Sequence, residues 1–400
     1  MIRWLQQLGA ESGVKSLGRG ILLAAAVGAV AGFGAIAFQL LTHAVSHIGL
    51  DWLAGYQQGV PKGEHVIFQP TSSSIRLWVL VALPVVGGLI SGFLIYRFAP
   101  EAEGPGTDAA IDAYHNNRGH IRGRVPLIKM LASAITLGTG GSGGREGPIA
   151  QIGAGFGSYM ASKLKLSDTE QRTLMAAGVG AGIGAIFQAP LAGAIFATEV
   201  LYRDPDFEAE NLIPAFISTT VAYCMFNFGL YWLMVLTDQG TPAVFQPLFS
   251  LSGDIHFDKP FMLIPLSILA VLAALSSLLY VKTFRGIQGV FKRLKLPNMV
   301  KPAIGGLLTG VVAAVAYLSL SALGDDARRS SLNVLSYGYG ILQDIFGAEV
   351  AGANQSWMHG QSPQTLIILL MVIAVGKVLA TSFTIGSGGS AGVFGPSMVI

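Results

Sequence analysis

The stretch KMLASAITLGTGGSGGREGP, residues 129–148, closes an apolar segment with six glycines and an Arg-Glu pair. Slid by 248 positions it falls without a gap on KVLATSFTIGSGGSAGVFGP, residues 377–396. Eleven of the twenty positions are identical, among them Lys129 and Lys377, Thr136 and Thr384, and the closing Pro148 and Pro396. General likeness between glycine-rich membrane helices explains shared glycines, but not a lysine, a threonine and a proline at fixed offsets. Each copy reads as apolar helix, glycine-rich break, Gly-Pro and a new apolar segment. Proline suits the first turn of a helix, and glycines before it allow unusual backbone angles. Two such interruptions at matching places in two halves mark a transporter built from structural repeats, with its site expected where they meet.

The rest of the chain agrees with a lipid environment. Of its 400 residues 52% are hydrophobic and 12% charged, and the mean hydropathy is +0.58, too apolar for a water-soluble domain. Apolar runs of crossing length are expected near 21–45, 76–98, 171–202, 212–236, 261–281, 301–323 and 364–385. Shorter pieces at 125–137, 147–162 and from 396 onward are expected as broken or re-entrant helices. The first run follows Arg3, Lys15 and Arg19 without a small-residue cleavage site, and so reads as a retained span with a cytoplasmic N-terminus. Basic residues crowd 97–129 and 282–301 but not 46–75 or 237–260, which assigns the first pair inside and the second outside. That bias accounts for the net charge of +3, with no basic stripe suited to nucleic acid. Cys224 is the one cysteine, so no internal disulfide or cysteine-rich metal site is possible. No cofactor is implied, and no constellation points to an enzyme.

The division expected is a cytoplasmic segment 1–20, a first repeat 21–236, an external connection 237–260 and a second repeat 261–400. At the repeat offset Ile400 matches Ile152, so the natural chain is expected to continue.

The breaks suggest anion chemistry. First-turn N–H groups of the segments beginning near Glu146 and Phe394 lack helical acceptors and can point at an anion. A bare anion loses on the order of tens of kcal/mol of solvation at low dielectric, whereas one helix terminus returns about 0.3 to 2 kcal/mol. Several termini must therefore converge. A P-loop is excluded: the Gly-Lys-Ser/Thr ending is missing and apolar helices stand where a strand is required. Glu146 is costly, at about 2.5 to 3.5 kcal/mol for a charge within a membrane segment. Arg145 is its sequence neighbour, and adjacent residues do not face each other on a helix. A carboxylate that occupies the anion site when ionised and leaves it when protonated makes a gate, and can carry a proton.

GREGP at 144–148 and GVFGP at 392–396, the lysine sixteen residues before Arg145, and APLAG at 189–193 followed by Ile195, Phe196 and Glu199 together resemble the CLC family of anion channels and anion/proton exchangers. The resemblance implies an all-α polytopic membrane protein of antiparallel, inverted repeats with broken and re-entrant helices. It implies a homodimer with an anion pathway, chloride or nitrate, in each subunit, and a bacterial plasma-membrane location if the source is bacterial. Glu146 matches the family's gating glutamate, and backbone N–H groups of Gly147, Pro148's neighbours Ile149 and Ala150, Val393 and Phe394 would face the anion. Arg145, Gly392 and Gly395 frame that set. A family tyrosine would lie beyond Ile400.

Two departures bear on function. The family's Gly-Ser-Gly-Ile-Pro stretch is GPGTD at 104–108 here. Gly104 and Gly106 thus flank Pro105, where a serine would donate to the anion. Plant relatives that prefer nitrate also have proline there, while Thr107 and Asp108 can instead cap a helix. Val200 replaces the proton-relaying glutamate of family exchangers, which favours a channel or weakly coupled pathway over proton-coupled exchange. Asp204, Asp206, Glu208 and Glu210 could substitute, or form a solvated turn.

Smaller features read as structure. Ser167 to Glu170 has the capping-box pattern. Lys129 and Lys377 are expected to snorkel or bind helix-end carbonyls. His43, His47 and His65 read as surface residues, and 191–235 as part of a dimer face.

Overall fold

The computed structural model describes residues 13–64, 67–69, 71, 73–202, 209–237, 245–249, 259–347, 358 and 361–400. The helices are α1 (Gly13–Ser46), continued by a π-helical turn His47–Leu53, α2 (Leu77–Phe98), α3 (Thr107–Asn116), α4 (Val125–Gly138), α5 (Glu146–Leu164), α6 (Asp168–Ile186) and α7 (Pro190–Glu199). They continue with α8 (Ala209–Leu236), α9 (Leu263–Arg293), α10 (Lys301–Ser319), α11 (Asp325–Ser331), α12 (Tyr339–Gly347), α13 (Pro363–Gly386) and α14 (Phe394–Val399). Among the described residues six helical stretches are long and apolar enough to cross a membrane: Gly18–Leu53, Leu77–Phe98, Asn211–Leu236, Pro260–Arg293, Lys301–Ser319 and Pro363–Gly386. The protein is a multi-pass, all-helical membrane protein.

One expected span is not continuous. The run 171–202 divides into α6 and α7, because Gln188 takes a left-handed φ of 55° and Pro190 opens a new helix. The missing N–H of Pro190 cannot continue the α6 ladder, and its ring restricts Ala189 before it. The capping box at the start of α6 is present: Ser167 Oγ accepts from Glu170 N–H at 3.4 Å, and the Glu170 carboxylate accepts from Ser167 N–H at 3.0 Å.

By compactness the described chain forms two units that interleave along the sequence. The first takes in residues up to His43, Leu94–Ala134 and Arg145–Pro247; the second Ala44–Phe93, Ile135–Gly144 and Leu248–Ile400. In the first, α6 is packed by α5, α7 and α8. Its crossing with α5 is a glycine-on-glycine contact, where a Cβ on Gly153 would strike the Gly178 carbonyl and one on Gly178 the Gly153 carbonyl. Lipid tails are as apolar as leucine, so such close backbone approach supplies the packing attraction in place of a hydrophobic drive. In the second unit α13 packs on α9 and α10. Leu50, Leu80, Ala313, Leu332 and Leu335 form one buried cluster; Leu320, Ile341, Leu369 and Ile373 form another. The connection 237–260 lies largely outside the described residues.

Candidate functional site

The first unit carries the start of α5 and the turn before α3. Arg145 stands at the N-cap of α5, Glu146 and Gly147 fill its first turn, and all three are buried. Ile149 N–H already donates to the Arg145 carbonyl at 3.0 Å, and Pro148 has no N–H. An α-helix offers no acceptor to its first-turn donors, so the N–H of Gly147 is a group this terminus can direct at an anion. Glu146 is 2% exposed, an expensive position for a carboxylate.

Gly104 and Gly106 have φ of +69° and +96°, a region open to glycine at little cost. They bend the chain into α3, with Gly106 at its N-cap and no side-chain cap bond. The capping reading of Thr107 and Asp108 therefore fails. Both lie inside the helix, where Asp108 complements the dipole of the first turn. Lys129, fully buried, donates from Nζ to the Gly104 carbonyl at 2.7 Å and the Ala102 carbonyl at 3.1 Å. On the other side a Cβ on Gly106 would lie 2.7 Å from the Gly147 carbonyl and 3.1 Å from Gln151 Oε1. The turn and the start of α5 thus touch, and any side chain at Gly106 would part them. Gln151, which sequence reasoning missed, fixes the arrangement by donating from Nε2 to the Glu101 carbonyl at 2.6 Å. Its signal was only a polar residue one turn into an otherwise apolar helix.

The second unit carries both glycine breaks as far as Gly144. They are built alike. Gly140 and Gly388 have φ of +97° and +102°, and Gly141 and Gly389 donate to the Thr136 and Thr384 carbonyls at 2.8 and 3.1 Å. Gly144 and Gly392 then pair in an antiparallel bridge, with N–H to O distances of 2.7 and 2.8 Å in the two directions. The repeated threonines each bond a hydroxyl on an earlier membrane helix: Thr136 to Ser91 and Thr384 to Thr309, both at 2.9 Å. Val393 is the N-cap of α14 and Phe394 its first residue, with Gly395 and Pro396 buried behind it. Tyr280 OH donates to the Val393 carbonyl at 3.3 Å.

Lys377 repeats the role of Lys129. Fully buried, it donates to the carbonyls of Asn333 at 3.1 Å and Ser336 at 2.7 Å, with those of Val334 and Leu335 at 3.5 and 3.4 Å. Both lysines bind carbonyls of a turn that opens a helix, and neither snorkels.

Comparison with known proteins follows the same lines. The Voltage gated chloride channel model matches residues 87–400. The chain belongs to that family, the CLC proteins. It is 31% identical to "Uncharacterized protein MJ0305" of Methanocaldococcus jannaschii over 323 residues, 80% of this chain and 69% of that one. Identity to the H(+)/Cl(-) exchange transporter ClcA of Vibrio parahaemolyticus is 26% over 384 residues, 95% of this chain and 70% of the other. Two solved structures share the fold: a CLC-type fluoride/proton antiporter, TM-score 0.69 at 18% identity over 97% of this chain and 80% of that one, and a slow cyanobacterial Cl-/H+ antiporter, TM-score 0.63 at 22% over 94% and 76%. The family is one of transport proteins, not enzymes.

Against that family pattern, Val200 is the C-cap residue of α7, its N–H donating to the Phe196 carbonyl at 2.9 Å. Its side chain cannot titrate. The nearby Asp204, Asp206 and Glu208, with the Glu210 side chain, lie outside what the structure describes. His47 is not a plain surface residue: its Nδ1 lies 3.0 Å from the buried Asp51 carboxylate and its ring stacks on Phe68. Asp51 also accepts from Thr71 Oγ1 at 2.6 Å, so the pair ties Thr71 of the following connection to this turn. His65 is outside the described residues.

Proposed function

We propose that the protein conducts small inorganic anions, chloride foremost, through a pathway gated by Glu146. Family membership supports anion transport. The observation that carries the gate is a carboxylate 2% exposed in the first turn of a helix, where it competes for the donors an anion would use. Ionised, it takes the place of the anion; protonated, it gives that place up. The residues proposed to contact the anion are Gly104, Pro105, Gly106, Arg145, Gly147, Pro148, Ile149 and Ala150 in the first unit, and Gly392, Val393, Phe394 and Gly395 in the second. Pro105 offers no hydroxyl, which lowers the advantage of chloride over nitrate.

Val200 favours passive conduction. The second reading, proton-coupled exchange, draws on the exchange activity named for the Vibrio parahaemolyticus relative. Purified protein in liposomes, with chloride or nitrate gradients and external pH recorded together, separates the two. Anion efflux without proton uptake is expected; uptake strictly tied to efflux would overturn conduction.

A homodimer is proposed on the apolar groove of about 510 Å³ between α7 and α8, lined by Leu191, Ile195, Leu212, Ile213, Phe216 and Ile217 beside Glu199. Cross-linking in native membranes tests it. The loop charge bias supports a cytoplasmic N-terminus, and for a bacterial source the proposed location is the plasma membrane.

A further inference from the structure

Helix α9, Leu263–Arg293, is longer than a bilayer requires. Its first 19 residues, Leu263–Val281, hold no charged side chain and rise about 28 Å at about 1.5 Å each, close to the hydrocarbon thickness of about 30 Å. The helix then runs on unbroken through Lys282–Arg293, about 18 Å more. That extension and the loop after it hold Lys282, Arg285, Lys292, Arg293 and Lys295, all exposed. No aspartate or glutamate occurs from 259 to 324, so nothing nearby in sequence offsets their charge.

The helical cations lie on one side. At about 3.6 residues per turn, Lys282, Arg285, Gly286, Gly289, Lys292 and Arg293 fall within about 120° of arc, with Phe284, Ile287 and Phe291 opposite. The opposite side meets protein: Phe291 is buried, and a Cβ on Gly386 of α13 would lie 3.4 Å from Ile287 Cγ2 and 3.3 Å from Gln288 N. Between the two pairs of cations, Gly286 and Gly289 leave an open notch in which an added Cβ would meet nothing within 4 Å. Glycine weakens an exposed helix relative to alanine, and here no neighbouring element uses the space. The charge bias of membrane loops accounts for basic residues, but not for their confinement to one face or for the open glycines between them.

The surroundings select a ligand that is anionic at one end and apolar at the other. Arginine and lysine around an open notch suit a phosphate. Beside them Val290, Leu294 and Leu296 are 60%, 38% and 42% exposed, an apolar fringe that a soluble polyanion would leave in water and a lipid would cover. The position agrees, because lysines and arginines directly beyond a membrane helix attract anionic lipid, each adding about fivefold to the affinity.

We propose that the basic face of α9 binds the headgroups of anionic phospholipids, the phosphate entering at Gly286 and Gly289 and the apolar fringe meeting the rest of the lipid. This assignment is independent of what the protein transports. Full-length protein is equilibrated in detergent with phosphatidylglycerol and phosphatidylcholine, and retained lipid is measured by native mass spectrometry. Phosphatidylglycerol should be preferred by at least about tenfold. Lys282→Gln combined with Arg285→Gln, Lys292→Gln and Arg293→Gln changes only exposed side chains and should abolish the preference. Gly286→Leu with Gly289→Leu fills the notch, keeps every charge and raises helix propensity; it should lower retention about fivefold, as much as the loss of one cation. Inorganic phosphate should displace the lipid no better than chloride at equal ionic strength, where both only screen the charges. Equal retention of the two lipids by the wild type, or a preference that survives removal of the four charges, overturns the lipid surface. Displacement specific to inorganic phosphate makes the ligand a soluble anion and overturns it as well. Retention indifferent to the leucines overturns the notch as the seat of the phosphate.

Discussion

The two glycine breaks share a backbone and differ in one decisive side chain. Both open with a glycine near φ +100°, both return a hydrogen bond to a threonine carbonyl, and they bond to each other through Gly144 and Gly392. At the first helical residue one has Glu146, 2% exposed, and the other Phe394, 48% exposed. Glycine, threonine and proline are the common frame. The carboxylate is what the first half adds, at a solvation cost the second half does not bear.

The largest test of that contrast is Glu146→Gln. Anion flux in vesicles should persist while its dependence on external pH largely disappears; abolished flux with pH dependence intact would remove the gate from Glu146. The lysines come next. Lys377→Met strips donors from four carbonyls and Lys129→Met from two. At about 1 to 3 kcal/mol for each well-bonded acceptor left buried, thermal unfolding in detergent should show a greater loss for Lys377→Met. Equal losses would show that the longer contacts of Lys377, to the Val334 and Leu335 carbonyls, add nothing to stability.

How far sequence could see is set by offset and by context. The breaks were legible because their residues are chemically obligatory and equally spaced. The turns before α3 and α12 were not, since 23 residues separate Gly106 from Lys129 and 39 separate Gly338 from Lys377, so one sliding offset cannot align both. The interruption at Gln188 hid inside an apolar run because hydropathy does not register a left-handed backbone angle. His47 looked like surface because its partner Asp51 matters only once Thr71 and Phe68 fold over it. Six crossing helices were readable from apolar length alone; the burial of α5, with its many small residues, was a matter of packing.

Smaller effects sharpen the comparison of the turns. Pro105→Ser gives the first turn a hydroxyl and should shift preference from nitrate toward chloride by about tenfold, on the scale of one hydrogen bond to a charge. An unchanged ratio in competition flux would leave GPGTD a purely structural variant. The smallest effect concerns Glu101, beside the same turn. Burial pushes its carboxyl up, but the hydrogen bond and charge of Arg122 prevail and hold it below the ordinary carboxylate value. A depressed folded value stabilises the protein above the unfolded pKa, and the gain is lost as pH falls through the folded one. Because the pair is surface-exposed, Glu101→Gln should flatten the acid limb of stability by under ~1 kcal/mol, measured as melting temperature against pH.

The Gly144–Gly392 rung also limits how the proposed gate could work. Two short bonds clamp the chain two residues before Glu146 and two residues before Phe394. A helix start tethered so closely is a poor hinge, since sliding it would tear a backbone pair from a site where water cannot replace it. The economical stroke is rotation about the bonds of a single glutamate side chain. On the proposed gate, opening would then demand little of the fold, and protonation of one carboxylate would suffice to drive it.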